Sequence, residues 1–306
     1  MSGTGGWLRN AAVAARLAAD RPDLWLPGAL GSLAYLAWLP LVLSVAALPR
    51  ASDFAFLGAR VLSSGAFPWN ILLLASLATV VVLVACLLAA FAEAALLRAA
   101  EHTAAERSLT RDTEAVFSVL LMSALPSVAI AAALISGIAA VAPAEYGAPD
   151  IGGPLLLRII GHLIPLLVAL AALAVVGQAV GAAALRRVVG RGAASVGGAL
   201  RDGLRQIAAR PVRRLGLAAA SMLADLVALA IATALLRVLW PPIGLELADG
   251  QLISPQALLL LLGFVAVWLG LVLAFGALHA WISVWWSLEL GHAGAEGRSK
   301  AQEANP

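Results

Sequence analysis

The sequence predicts an all-α, polytopic membrane helix bundle, and three observations carry that prediction. Hydrophobic residues make up 62% of the chain and charged residues 12%, against roughly 45–50% and about 25% in soluble domains. The apolar residues fall into runs long enough to cross a bilayer. The basic residues collect in alternate joins between those runs.

A hydrocarbon core about 30 Å thick takes roughly 20 apolar helical residues. Residues 1–24 set Arg9, Arg16 and Arg21 among alanines, which reads as a cytoplasmic amphipathic segment. No compact apolar run there ends in a small-residue cleavage site, so a removable signal peptide is not expected. Six runs then qualify as transmembrane helices, at about 25–48, 71–97, 116–142, 156–185, 215–240 and 256–288. Pro49 follows the first, Phe67-Pro68-Trp69-Asn70 precedes the second, and Pro143 to Pro154 separates the third from the fourth. Trp240-Pro241-Pro242 is expected to close the fifth span and Ser254-Pro255 to open the sixth. Proline suits a first helical turn, and tryptophan suits a span end at headgroup level. Trp281, Trp285 and Trp286 are read as such an interfacial belt. Pro40, Pro126 and Pro165 stand inside spans and are candidates for kinks. The tail, 289–306, is expected to be cytoplasmic and disordered.

Orientation follows from the arginines. Sixteen of the twenty basic residues lie in 1–24, 98–115, 186–214 and 289–306. By the positive-inside rule, both termini and the arginine-rich loop face the cytoplasm of an inner (plasma) membrane. That loop carries an interfacial helix at about 193–210, with Val196, Leu200, Leu204, Ile207 and Ala208 on an apolar face. Arg201, Arg205, Arg210, Arg213 and Arg214 form a membrane-surface basic set. Anionic headgroups attract each such residue by about 1 kcal/mol. Nucleic acid is not an expected partner, because no aromatic side chains interleave with the arginines.

Leu8-Arg9-Asn10 with Arg21-Pro22 precedes the first span, and Leu200-Arg201-Asp202 with Arg210-Pro211 precedes the fifth. These echoes suggest three parallel units, each an interfacial segment followed by a helical hairpin. The pattern, carried by Leu200–Leu217 and less closely by Leu8–Leu30, resembles poorly characterised bacterial six-helix families. One is the membrane domain attached to some glycerophosphodiester phosphodiesterases. The resemblance implies a membrane-embedded, non-catalytic role; no phosphodiesterase domain is present here.

Ionisable groups inside spans are the candidate site, since each costs roughly 2.5–3.5 kcal/mol at the bilayer centre on insertion scales. Asp225 and His279 fall at similar depth in consecutive spans and are placed to pair, either as a proton or cation relay or as a polar bridge fixing helix register. Glu93 is expected to reach the interface or to pair along its own helix, five residues before Arg98. Gln178 sits between Gly177 and Gly181, a spacing that suits close helix packing with a hydrogen bond across it. His162 and His279 lie at opposite depths, which disfavours a bis-histidine haem site. Cys86 is the one cysteine and Lys300 the one lysine, which excludes cysteine-cluster metal sites and a lysine Schiff base in the body of the chain. No cofactor and no metal is expected.

Soluble-enzyme motifs are absent, so an enzyme is not expected. The composition reads as a non-catalytic membrane protein: a subunit, scaffold or lipid-organising module with the bilayer and a membrane-protein partner or further copies of itself as company. The alternative is a small transporter or permease using the Asp225/His279 pair.

Overall fold

The computed structural model describes residues 4–45, 68–101, 112–121, 155–191, 195–248 and 254–303, with a few isolated positions between them. No strand occurs among the described residues. Helix α1 (Thr4–Asp20) leads through a 3-10 turn, Pro22–Leu24, into α2 (Trp25–Tyr35) and α3 (Leu39–Val45). There follow α4 (Trp69–Glu101), α5 (Leu155–Arg191), α6 (Val196–Ala209), α7 (Pro211–Ala248) and α8 (Pro255–Glu303).

Four helices hold stretches long and apolar enough to cross a membrane: Thr79–Ala99, Gly161–Val189, Pro211–Glu246 and Pro255–Leu290. The pair α2 and α3, bent by 51°, makes a fifth if the two are one span. The expected third span, 116–142, lies mostly outside the described residues. Its helical start at 112–121 buries Val116 and Val119 in one cluster with Ala90, Ala94 and Leu97 of α4 and Val188 and Val189 of α5.

The helix expected over 25–48 is broken rather than continuous over its described residues. Pro40 has no N–H for the carbonyl of Leu36. The chain turns over residues 36–38, and Leu36 O takes the amide of Leu39 instead, at 3.0 Å. The carbonyl of Ala37 accepts from the indole Nε1 of Trp268, at 3.1 Å. A side chain of α8 thus satisfies a backbone group that lipid could not. By contrast α5 passes through Pro165 as one helix.

At the other end of the fifth expected span, Pro241 and Pro242 do not terminate α7, which runs on to Ala248. Two backbone donors are lost there, but packing holds the helix together. Ile243 is buried in one cluster with Leu236 and Phe264, and the rings of Trp240 and Phe264 lie 5.5 Å apart. Helix α8 continues to Glu303. Residues 289–303 contain no proline and are rich in helix formers such as alanine and glutamate.

Helix α8 is the hub, packing on α1, α2, α4, α5 and α7. Its crossing with α2 is backbone against backbone. A Cβ on Gly28 would collide with the carbonyl oxygen of Gly276, and one on Gly276 would come within 2.7 Å of Ala29 N. Only glycine at both positions allows this approach.

Tryptophans seal the α1–α8 contact. Trp285 and Trp286 are buried, not displayed in a belt. Trp281 donates from Nε1 to Ala11 O at 3.0 Å, and the ring of Trp285 lies 4.9 Å from that of Trp7. The register of α8 turns these rings towards α1, which a reading by position along the span does not reveal. Trp25 donates to Ala18 O at 2.7 Å, satisfying one of the last carbonyls of α1.

Candidate functional site

The sequence pairs no residue of α4 with α8, yet the structure brings Glu93 and His279 together. Nε2 of His279 lies 2.9 Å from Oε2 of Glu93. An ionised carboxylate only accepts, so the imidazole donates. Gly31 of α2 closes the far side, where an added Cβ would sit 3.5 Å from the same Nε2. Glu93 therefore neither extends to the interface nor pairs with Arg98, whose partner is Asp112 at 3.5 Å. The reason is packing: α4 and α8 are neighbours, and the register of α4 points position 93 inward among buried Ala89, Ala90, Ala92 and Ala94.

Arg186 of α5 completes this layer. It is 7% exposed. Its Nη2 donates to Ser283 O at 2.6 Å and to Ser283 Oγ at 3.1 Å, its Nε to Ser287 Oγ at 3.1 Å, and its Nη1 to Ala182 O at 2.9 Å. Glu93 and His279 both lie within electrostatic range of this guanidinium. The sequence counted Arg186 with the basic loop; its position at the end of an apolar run gave no sign that it turns inward.

Asp225 of α7 is half-buried and within electrostatic range of His279. No hydrogen bond joins the two; Nε2 of His279 is engaged by Glu93. Four membrane-crossing helices thus each send one ionisable group into the same region: Glu93, Arg186, Asp225 and His279. Gln178 is not part of the hydrogen-bonded layer. Its Oε1 is buried without a donor, and Gly177 beside it has nothing within 4 Å of an added Cβ. The close approach on α5 comes instead from α6, where a Cβ on Gly203 would lie 2.9 Å from Val180 O.

The arginine-rich end is built around α6 and the start of α7. Ser195 caps α6, accepting from the amide of Gly198 at 3.1 Å. Ala199, Gly203 and Ile207 are buried towards α5, while Leu204, Ala208, Arg201 and Arg205 are exposed. The apolar face inferred from sequence is therefore split between protein contact and open surface. Arg187 pairs with Asp202 at 2.9 Å, tying α5 to α6. Arg210 is exposed, but Arg213 is only a third exposed and Arg214 is buried. Position 214 shares its helix face with buried Leu217, Ala218 and Ser221, so Arg214 is not a surface arginine.

Both Arg-Pro junctions have nearly the same backbone. Arg21 stands at φ −125°, ψ 76° and Arg210 at φ −145°, ψ 64°, as residues before proline are pushed away from the helical region. Arg21 donates from Nη1 to Ala99 O at 2.9 Å, in the last turn of α4. Glu289 of α8 gathers the rest: Oε1 accepts from Asn10 Nδ2 at 3.0 Å and Oε2 pairs with Arg213 at 2.7 Å. Among the described residues no group of three or more His, Cys, Asp or Glu side chains is placed to hold a metal ion. At the opposite ends of their helices, His162 and Arg237 are exposed.

Comparison with known proteins gives no match to a family model, a curated protein or a solved structure.

Proposed function

We propose that this chain is a non-catalytic integral membrane protein of an inner (plasma) membrane, acting as a lipid-organising module or as a scaffold subunit for a membrane partner. The observation that carries this reading is the arginine-rich end. Two helices that do not cross the membrane by length, α1 and α6, are strapped onto α8 and α5. Between them they leave Arg201, Arg205, Leu8 and Leu204 exposed. Apolar side chains interleaved with arginines suit the boundary between acyl chains and anionic headgroups. In this reading six spans, the third at 116–142, place both termini and the arginine-rich end in the cytoplasm. The matching Arg-Pro junctions favour the three-unit arrangement and the kinship with phosphodiesterase-associated membrane domains.

The test is extraction of the tagged protein from its own membrane in mild detergent, followed by native mass spectrometry and lipid quantification. Enrichment of anionic over zwitterionic lipid, or a stoichiometric membrane-protein partner, is the expected result. Bulk lipid proportions on a partnerless protein would end the proposal.

A second reading, a small permease, is favoured by the contact of Glu93 with His279 and the proximity of Asp225. These groups could pass a proton between α4, α7 and α8. Reconstituted protein would then show proton-coupled flux in liposomes, abolished by Asp225→Asn without loss of folding. Flux unchanged by Asp225→Asn removes that site from consideration.

A further inference from the structure

We propose that the junction of α7 and α8, at the first turn of α7, binds a phosphate group through Arg214 and Arg213, and that an anionic phospholipid headgroup supplies it. The inference rests on the reading of the arginine-rich end as a headgroup-facing surface and narrows it to one site.

The starting point is a buried cation with an unmatched donor. Arg214 is 7% exposed, and its Nη1 is buried without an acceptor. The Nε of Arg213 is likewise buried and unmatched. A guanidinium withdrawn from water is strongly unfavourable unless its donors are met. Among the described residues, the carboxylate close by is already engaged: Glu289 accepts from Arg213 Nη2 at Oε2 and from Asn10 at Oε1. Arg214 is within electrostatic range of Arg210, Arg213 and Glu289, so its unmatched donor meets a carboxylate that Arg213 and Asn10 already occupy.

The backbone adds to this imbalance. Pro211 opens α7 and carries no N–H, while the amide of Arg214 donates to Arg210 O at 3.2 Å. The first-turn amides of Val212 and Arg213 have no intrahelical acceptor and stand at the positive end of the helix dipole. Free amides, a helix N-terminus and paired guanidinium groups make a donor set suited to phosphate oxygens.

The surroundings select the source of the phosphate. The membrane-crossing stretch of α7 starts at Pro211, which puts this donor set at headgroup level. Val212 is 87% exposed in the same turn, next to Arg213 and across the helix from Arg214, and Leu223 and Leu226 continue that exposed apolar face along α7. An acyl chain can lie along that face while its phosphate sits at the end of the helix, between Arg213 and Arg214. A free phosphate ion would use the same donors and none of the apolar path.

The experiment uses the full chain in neutral detergent, with phosphatidylglycerol, phosphatidylcholine and inorganic phosphate as separate probes. Native mass spectrometry should find one phosphatidylglycerol retained under activation that strips phosphatidylcholine, and phosphatidylglycerol should raise the melting temperature. Arg214→Gln should weaken retention at least tenfold and abolish the thermal shift. In lipid-free detergent the same variant should melt no lower than the parent, because an unmatched buried charge has gone. Arg213→Gln and Arg214→Lys should give partial losses, and they carry the test should Arg214→Gln not fold. Protection by inorganic phosphate equal to that by phosphatidylglycerol, and lost in Arg214→Gln, supports the site and names a free anion as its ligand. Undiminished phosphatidylglycerol retention in both Arg214→Gln and Arg213→Gln overturns it. Loss of retention in Arg201→Gln/Arg205→Gln alone also overturns it, while leaving the broader headgroup reading intact.

Discussion

His279 in α8 and Glu93 in α4 meet at 2.9 Å across 186 positions of sequence. The contact joins two helices that run between apolar neighbours, and Gly31 of α2 leaves just enough room for the ring. Each group alone would be an expensive guest in a bilayer; together they satisfy one another. Their coupling is measurable. Glu93→Gln and His279→Gln should each destabilise the protein by about 1–3 kcal/mol. The double variant should lose clearly less than the two together. Unfolding of the four proteins in mixed micelles would show it, and strict additivity would mean that the two side chains do not interact.

The α2–α8 crossing predicts a sharp contrast among glycines. Gly28→Ala and Gly276→Ala place a methyl against backbone and should cost about 1–3 kcal/mol or more. Gly263→Ala and Gly270→Ala, where nothing lies within 4 Å of the new carbon, should stay within about 0.5 kcal/mol of the parent or improve on it. Similar melting temperatures for all four variants would contradict a close backbone approach.

Trp268 caps the break between α2 and α3 through Ala37 O. Trp268→Phe keeps an aromatic ring but removes the donor, and should cost about 1 kcal/mol. Amide hydrogen exchange in 36–42 should quicken in that variant while α7 is unaffected. Unchanged exchange would show that the break does not depend on this bond.

Glu289 holds α1 and the start of α7 to α8. Glu289→Ala strands Arg213 and frees Asn10, so a loss of about 3–5 kcal/mol is expected. Limited trypsin digestion at Arg9 and Arg16 should accelerate first, since α1 loses its tether. Equal cleavage rates in parent and variant would separate α1 docking from Glu289.

The membrane class was legible because it depends on composition and run length, which a single sequence states directly. The end of a helix at Arg210-Pro211 was legible too, because it rests on local chemistry within a few residues. The partners of Glu93 and Arg186 were not legible. Consecutive spans invite pairing, which is why Asp225 was set against His279, but neighbours in a bundle are chosen by the fit of whole helix faces. Trp285 and Arg214 failed for a related reason. Distance along a helix gives depth, whereas burial depends on rotation about its axis, and long apolar helices with lipid on one side carry little periodic signal to fix that rotation. The Pro241-Pro242 pair looked like a terminator because proline removes a donor; the packing of Ile243 against a distant helix outweighed it.

The hub position of α8 has a consequence in time. Because α8 follows every other described helix in the chain, a ribosome delivers α1, α2, α4, α5 and α7 to the membrane before the helix they pack upon exists. The Gly28 face of α2 and the carboxylate of Glu93 must then wait, one bare and one without its histidine. Insertion and the closing step of assembly are thereby separate events, and a nascent chain halted before Gly276 would present to membrane proteases a set of helices still lacking the one that joins them.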